Sequence, residues 1–214
     1  MIKKTNSLPR FLVDRYKIWK KTYYFKNQHN FKKLSKLPQK PKAMIISCCD
    51  SRINPTSIFG AKEGELFIHR NIANIIPPYN STNIDNSTFA AIEYAIKELK
   101  VPNLIILGHT NCGGIKAIYD QHFKGAKNNY KFVNRWLKNI SAVFLKLPKK
   151  LSKKNQIIFL EEEGVKVSIN NLINYPNIKN LVTKKKLLIS GLIFDISSGD
   201  IKSLNSSNNK FEKI

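Results

Sequence analysis

The sequence predicts an α/β fold in which a mostly parallel sheet is covered by helices. Two observations carry this expectation: apolar runs of strand length recur at AMIIS (43–47), ELFIHR (65–70) and NLIILG (103–108), and stretches of helical periodicity separate them. At 214 residues the chain fits one domain with a continuous core that needs no disulfides.

Leu12, Ile18, Trp19, Tyr23 and Phe31 have helix-like spacing within a lysine-rich stretch, so residues 8–37 are expected as one or two amphipathic helices, ended by Pro38 and Pro41. The run at 43–47 reads as a buried parallel strand, and 65–70 as a second strand after the turn signal KEG at 62–64. Residues 87–99 (STFAAIEYAIKEL) are periodic at 3.6, with Ser87 as the N-cap and 100–102 closing the helix. A third strand follows at 103–108, then a helix from Cys112 onward. Two further helices are expected around 132–147 and 156–175, and a last strand at 187–192. DISSGD (195–200) suits a turn, and NSSNNK suits a frayed terminus. With no internal repeat and no linker, 1–214 reads as one domain: a helical arm (1–40), a catalytic core (41–200) and a C-terminal tail (201–214).

Composition narrows the function. Three cysteines, Cys48, Cys49 and Cys112, in a chain whose first residues lack an apolar signal-peptide run, read as reduced thiols of a cytoplasmic protein. No stretch has the length of a membrane-spanning helix, so no membrane insertion is expected. The formal charge of +23 raises nucleic-acid binding as a rival. The excess is nearly all lysine, scattered among Asn and Ile, and the arginines are Arg10, Arg15, Arg52, Arg70 and Arg135. Phosphate and base recognition favours the bidentate guanidinium, so no specific nucleic-acid partner is expected.

Cys48 and Asp50 fall just past the first strand, and His109 and Cys112 just past the third. In open parallel sheets ligands bind at such carboxyl ends, near a switch point. Two thiolates and an imidazole make a soft-to-borderline set for zinc, with Asp50 or a solvent oxygen completing a tetrahedron. On spacing alone the same residues also fit buried cysteines and a hydrogen-bonded core histidine. Gly108, Gly113 and Gly114 fit a tight strand-to-helix turn, and the lysine and hydroxyl of a P-loop do not follow them. EEEG at 161–164 reads as a solvated helix face paired with nearby lysines, and His29, His69 and His122 as ordinary histidines.

CCDSR at 48–52 and HTNCGG at 109–114 resemble the C-x-D-x-R and H-x-x-C motifs of the β-class carbonic anhydrases. The resemblance extends through PKAMIISC, GELFIHRNIANIIPPY, AAIEYAI and GHTNCGGIKA, and more weakly through SINNLINYPNI and the closing strand. It implies a four-stranded parallel sheet, with one possible antiparallel strand added, and N-terminal helices that pack on a neighbouring subunit in a homodimer or higher even oligomer. It implies one Zn2+ per subunit held by Cys48, His109 and Cys112, with Cys49 pointing away. Zinc-bound hydroxide would then attack carbon dioxide to give bicarbonate, with Asp50 and Arg52 as the catalytic dyad. Gln39 would donate a hydrogen bond to substrate, and Phe67 and Tyr94 would wall an apolar pocket; for Phe67, core packing is the alternative. Some members close the site by letting the aspartate ligate zinc when bicarbonate fills a second pocket, and their pattern has a tryptophan three residues before the first zinc cysteine. Ile45 stands there, so the open form is expected, with Asp50 as fourth ligand only in a closed form; Arg70 matches the arginine of that pocket but also occurs in members without the switch.

Overall fold

The computed structural model describes residues 8–79, 86–125, 130–148 and 150–214. The chain divides into two compact units, Met1–Gln39 and Lys40–Ile214.

In the first unit, helix α1 (Arg10–Trp19) runs through a π-helical turn (Lys20–Tyr24) towards helix α2 (Gln28–Lys36). No residue of these elements is buried. Their aromatics pack on one another instead: Trp19 lies 6.2 Å from Tyr16 and from Tyr23, and 6.0 Å from Phe31, between ring centres.

The second unit is built on strands β1 (Ala43–Cys48), β2 (Leu66–Asn71), β3 (Asn103–His109), β4 (Leu188–Phe194), β5 (Ile201–Asn205) and β6 (Lys210–Lys213). They form a sheet of order β2-β1-β3-β4-β5-β6. The first four strands are parallel, and β5 and β6 are added antiparallel. Every residue of β1 is buried, as an apolar strand covered on both faces must be. Met44 and Ile46 join one core cluster and Ile45 another, following the two-residue alternation of a strand.

Helices α3 (Pro55–Ile58), α4 (Asn86–Lys97), α5 (Gly113–Lys124), α6 (Lys131–Leu137), α7 (Lys153–Ile173) and α8 (Pro176–Thr183) cover the sheet, with a 3-10 segment (Lys138–Lys146) after α6. None of the described helices is long and apolar enough to cross a membrane.

Four expectations need correction. The sheet has six strands among the described residues rather than four or five, because the terminus expected to fray forms the β5–β6 hairpin. Asn205 and Asn208 side chains accept the backbone N–H groups of Ser207 and Lys210, so NSSNN is a bonded turn. Ser87 lies within the first turn of α4 rather than at its cap. Finally, 132–147 is one α-helix continued as 3-10 rather than a single α-helix.

Candidate active site

The sheet supplies the site's frame. From β1 the chain goes to β2 on one side and returns to β3 on the other, so the strand order reverses between β1 and β3. A crevice opens at the carboxyl ends of two such strands. Cys48 is the last residue of β1 and His109 the last of β3. After His109 the backbone turns through Asn111, whose φ of 58° is left-handed, and Cys112 arrives at the N-cap of α5. Asparagine tolerates that conformation better than most side chains.

One ligand atom each from Cys48, His109 and Cys112 lies within 4.8 Å of the other two, and all three residues are buried. The sulfurs are 4.0 Å apart. His109, 1% exposed, has Nδ1 2.9 Å from the carbonyl of Thr110. A carbonyl only accepts, so Nδ1 carries the proton and Nε2 is left with its lone pair. Nε2 is buried with no hydrogen-bond partner among the described residues. A histidine that donates one ring nitrogen to a carbonyl and aims the other at two thiols has the arrangement of a metal ligand. A tetrahedral zinc with Zn–S bonds of about 2.3 Å spaces its sulfurs about 3.8 Å apart, so the residues fit zinc.

The three groups also shift one another's protonation. A hydrogen bond from Cys112 pulls the Cys48 thiol down to about 4 against the opposing effect of burial, with help from His109 and the N–H of Ala73. Cys112 is pushed up by the same hydrogen bond and by burial. Burial disfavours charge on His109, but the Cys48 sulfur and the Thr110 carbonyl outweigh it and raise its pKa. Cys49 is exposed and outside the cluster.

Asp50 is also outside the cluster, because Arg52 holds it. Arg52 Nε donates to Oδ1 at 2.9 Å and Nη2 to Oδ2 at 2.7 Å, and the Arg52 amide donates to Oδ1 at 3.0 Å. The hydrogen bonds from the guanidinium keep the Asp50 carboxyl well below the usual carboxylate range. Oδ2 still lies 4.0 Å from His109 Nε2. Arg70 braces the same loop: its guanidinium donates to the carbonyls of Cys48, Asp50 and Ile53 at 3.0, 2.8 and 2.7 Å.

Phe67 and Tyr94, also singled out in the sequence, lie apart from this cluster. Phe67 pairs with Met44 in the β1–β2 register while Cys48 pairs with Asn71, which sets Phe67 about 13 Å along the strand from Cys48. It packs half-buried against the core, with its ring 6.0 Å from that of Tyr94, which is 47% exposed. Gln39 closes the first unit and is exposed.

Two groups at the site were not anticipated. The Ala73 N–H points at Cys48 Sγ from 3.4 Å, in a turn where Ala73 and Asn74 both have positive φ. Gly114 permits that approach, since a Cβ there would sit 3.0 Å from side-chain carbons of Ile72 and Ala73. The other is Glu161, expected on a solvated face but 4% exposed, whose Oε1 accepts the Cys112 N–H at 2.9 Å. Burial lifts its pKa to about 7. Glu163 is buried too, though it does pair with Lys146 and Lys166. The signal was available: 161, 165, 168 and 172 follow the i, i+4, i+7, i+11 spacing of one helix face, and Val165, Ser168 and Leu172 are all buried.

Residues 43–201 match the family model described as carbonic anhydrase. The chain is 37% identical over 184 residues to β carbonic anhydrase 3 of Arabidopsis thaliana, covering 85% of this chain and 70% of that protein. The chain belongs to the β-class carbonic anhydrases. Among solved β-carbonic anhydrases, CcaA superposes with a TM-score of 0.88 at 28% identity, over 96% of this chain and 91% of that one. A tetrameric β-carbonic anhydrase from Sordaria macrospora gives a TM-score of 0.80 at 31% identity, over 91% and 95% of the two chains. Carbonic anhydrases are lyases of carbon dioxide hydration, so the class of enzyme expected from the sequence holds.

Proposed function

We propose that the chain catalyses the reversible reaction of carbon dioxide with water to bicarbonate and a proton, using one zinc ion held by Cys48, His109 and Cys112. The observation that carries this is the buried, unpartnered Nε2 of His109 facing two sulfurs 4.0 Å apart, with the Asp50 carboxylate beside it. When bound, zinc lowers the pKa of water to about 7, a magnitude that belongs to carbonic anhydrase zinc in general. His109 presents Nε2 because the Thr110 carbonyl holds its other nitrogen, and the Ala73 N–H steadies the Cys48 sulfur.

Asp50 stays ionised under Arg52, and its Oδ2 is the acceptor that orients the attacking water by taking a hydrogen bond from it. The bidentate Arg52 pair engages both Asp50 oxygens, which supports an open form in which Asp50 is not a ligand. The three carbonyl bonds of Arg70 occupy its guanidinium and favour a bracing role over bicarbonate capture.

A second copy of the chain completes the pocket. Phe67 and Tyr94 are remote from their own Cys48, and the helices of the first unit bury nothing. Gln39, Phe67 and Tyr94 therefore serve the neighbouring subunit's site, in a dimer or higher even oligomer like the tetramers of Sordaria macrospora. Thiol ligands suit a reducing compartment such as the cytoplasm.

Stopped-flow hydration tests the assignment. Activity should disappear on chelation, return with zinc, and be absent in Cys48→Ala. Full turnover in a protein shown to contain no metal would overturn it.

A further inference from the structure

Cys112 occupies a position where a helix normally wants a different residue. The N-cap favours Ser, Thr, Asp or Asn, whose side chain accepts an N–H of the first turn. Cys112 makes no full cap bond at the head of α5, and its sulfur lies 4.0 Å from that of Cys48. Nor does the first turn help: Gly113 and Gly114 have no side chain, and Ile115 at the third position is buried among apolar residues. In a capping box a glutamate at that third position reaches back to the N-cap amide. Here the acceptor comes from another helix, 49 residues on, as Glu161 Oε1 takes the Cys112 N–H at 2.9 Å.

The other acids of the EEE run are matched to lysines, Glu162 to Lys202 and Glu163 to Lys146 and Lys166, whereas Glu161 accepts from a backbone amide. Glu161, His109, Cys112, Ile115 and Gly164 line a space too small for a water molecule. On its other side Glu161 borders a cavity of about 310 Å³, but Cys112 is 2% exposed, and an apolar side chain filling the place of the carboxylate would leave its buried N–H unsatisfied. Movement would also reach the other thiol, because the first turn of α5 presses through Gly114 on the turn that delivers the Ala73 N–H to Cys48.

We propose that Glu161 is the positioning residue for Cys112: lent by α7, it takes the Cys112 N–H as the third-position glutamate of a capping box would, and so fixes the backbone from which the metal-binding sulfur projects. The proposal rests on the zinc assignment above.

Glu161→Met and Glu161→Gln test it, since they have similar volume and differ in whether they retain an acceptor for the amide. Zinc affinity of the full chain is read by chelator competition, and the ligand field by the visible spectrum of the cobalt-substituted protein. Glu161→Met should bind zinc about 10–100-fold more weakly, with displaced cobalt bands, while Glu161→Gln stays within about threefold of wild type with unmoved bands. Thermal unfolding of the metal-free proteins separates this from a purely structural role, which would lower stability without moving the cobalt spectrum. If Glu161→Met does not fold, Glu161→Asp, which withdraws the carboxylate by one methylene, should show the same loss. Wild-type affinity in Glu161→Met or Glu161→Asp, or equal losses in Glu161→Met and Glu161→Gln, would overturn the proposal. A wild-type protein that binds no zinc would instead sink the zinc assignment itself.

Discussion

Arg52 joins the two ligand loops as well as holding Asp50. Its Nη2 also donates to the carbonyl of Asn111, one residue before Cys112, at 3.1 Å. A lysine ammonium is a point charge and cannot make the paired bonds to Asp50 and reach Asn111 as well. Arg52→Lys should therefore lower kcat/KM for hydration by about 10–100-fold while the protein stays folded, which steady-state kinetics beside circular dichroism would check. The sign of the pH effect follows from the same pair. Because the Asp50 pKa is depressed in the folded protein, the pair's stabilisation is present above the ordinary value of 3.8 and is lost as pH falls through the lower folded value. In Arg52→Met the Asp50 carboxyl should titrate closer to 3.8, as carbon NMR would register; an unmoved titration would contradict the role given to Arg52. Cys48, Asp50, Arg52, His109 and Cys112 were legible as residues because they stand in two short motifs. The Arg52–Asn111 bond spans 59 positions and was not.

Among the elements, α7 ties the site to the sheet. Val165 rests where β3 and β4 both present glycine: a Cβ on Gly108 would lie 2.7 Å from Val165 Cγ2, and one on Gly191 would lie 3.0 Å from Val165 Cγ1. That close approach brings Glu161, one turn earlier on α7, to the Cys112 amide. Gly108→Ala should cost about 1–3 kcal/mol by overpacking, measured by urea unfolding of the metal-free protein; a cost near zero would mean α7 shifts freely. The elements themselves were mostly legible from period and length. Those missed are short or polar. α3 is four residues long and has a local signature, since Asn54 caps it by accepting the Thr56 N–H and Pro55 takes its first position. The β5 and β6 strands, IKSLN and KFEK, carry too few apolar residues to announce a strand, and become one by pairing on the edge of β4.

At the scale of the molecule, the proposed sharing of sites between subunits makes a sharp demand. Cys48→Ala and Gln39→Ala chains should each be impaired, yet a mixture refolded together should recover activity. In a mixed dimer one site carries both changes and the other carries neither, so about a quarter of all sites become intact on random pairing. Activity no greater than the average of the two parents would place Gln39 in its own subunit's site. The charge of +23 belongs to this scale as well. Arg52 and Arg70, two of the five arginines, are bound to the active-site loops, which leaves the surface excess to lysine. Scattered lysine charge can raise the local concentration of bicarbonate, an effect that salt screens within about 8 Å at physiological strength.

The sequence by itself determined which residues gather as candidate metal ligands, that the first strand is buried and parallel, and which family the chain belongs to, because each of these is written in contiguous residue types or in a period of 2 or 3.6. The tertiary structure decided what surrounds those ligands: the Ala73 amide on Cys48, the Arg52 bridge to Asn111, and Glu161 on the Cys112 amide. These contacts join segments 25, 59 and 49 positions apart through backbone groups. Every residue type but proline carries the same amide and carbonyl, so no side-chain pattern could have announced them.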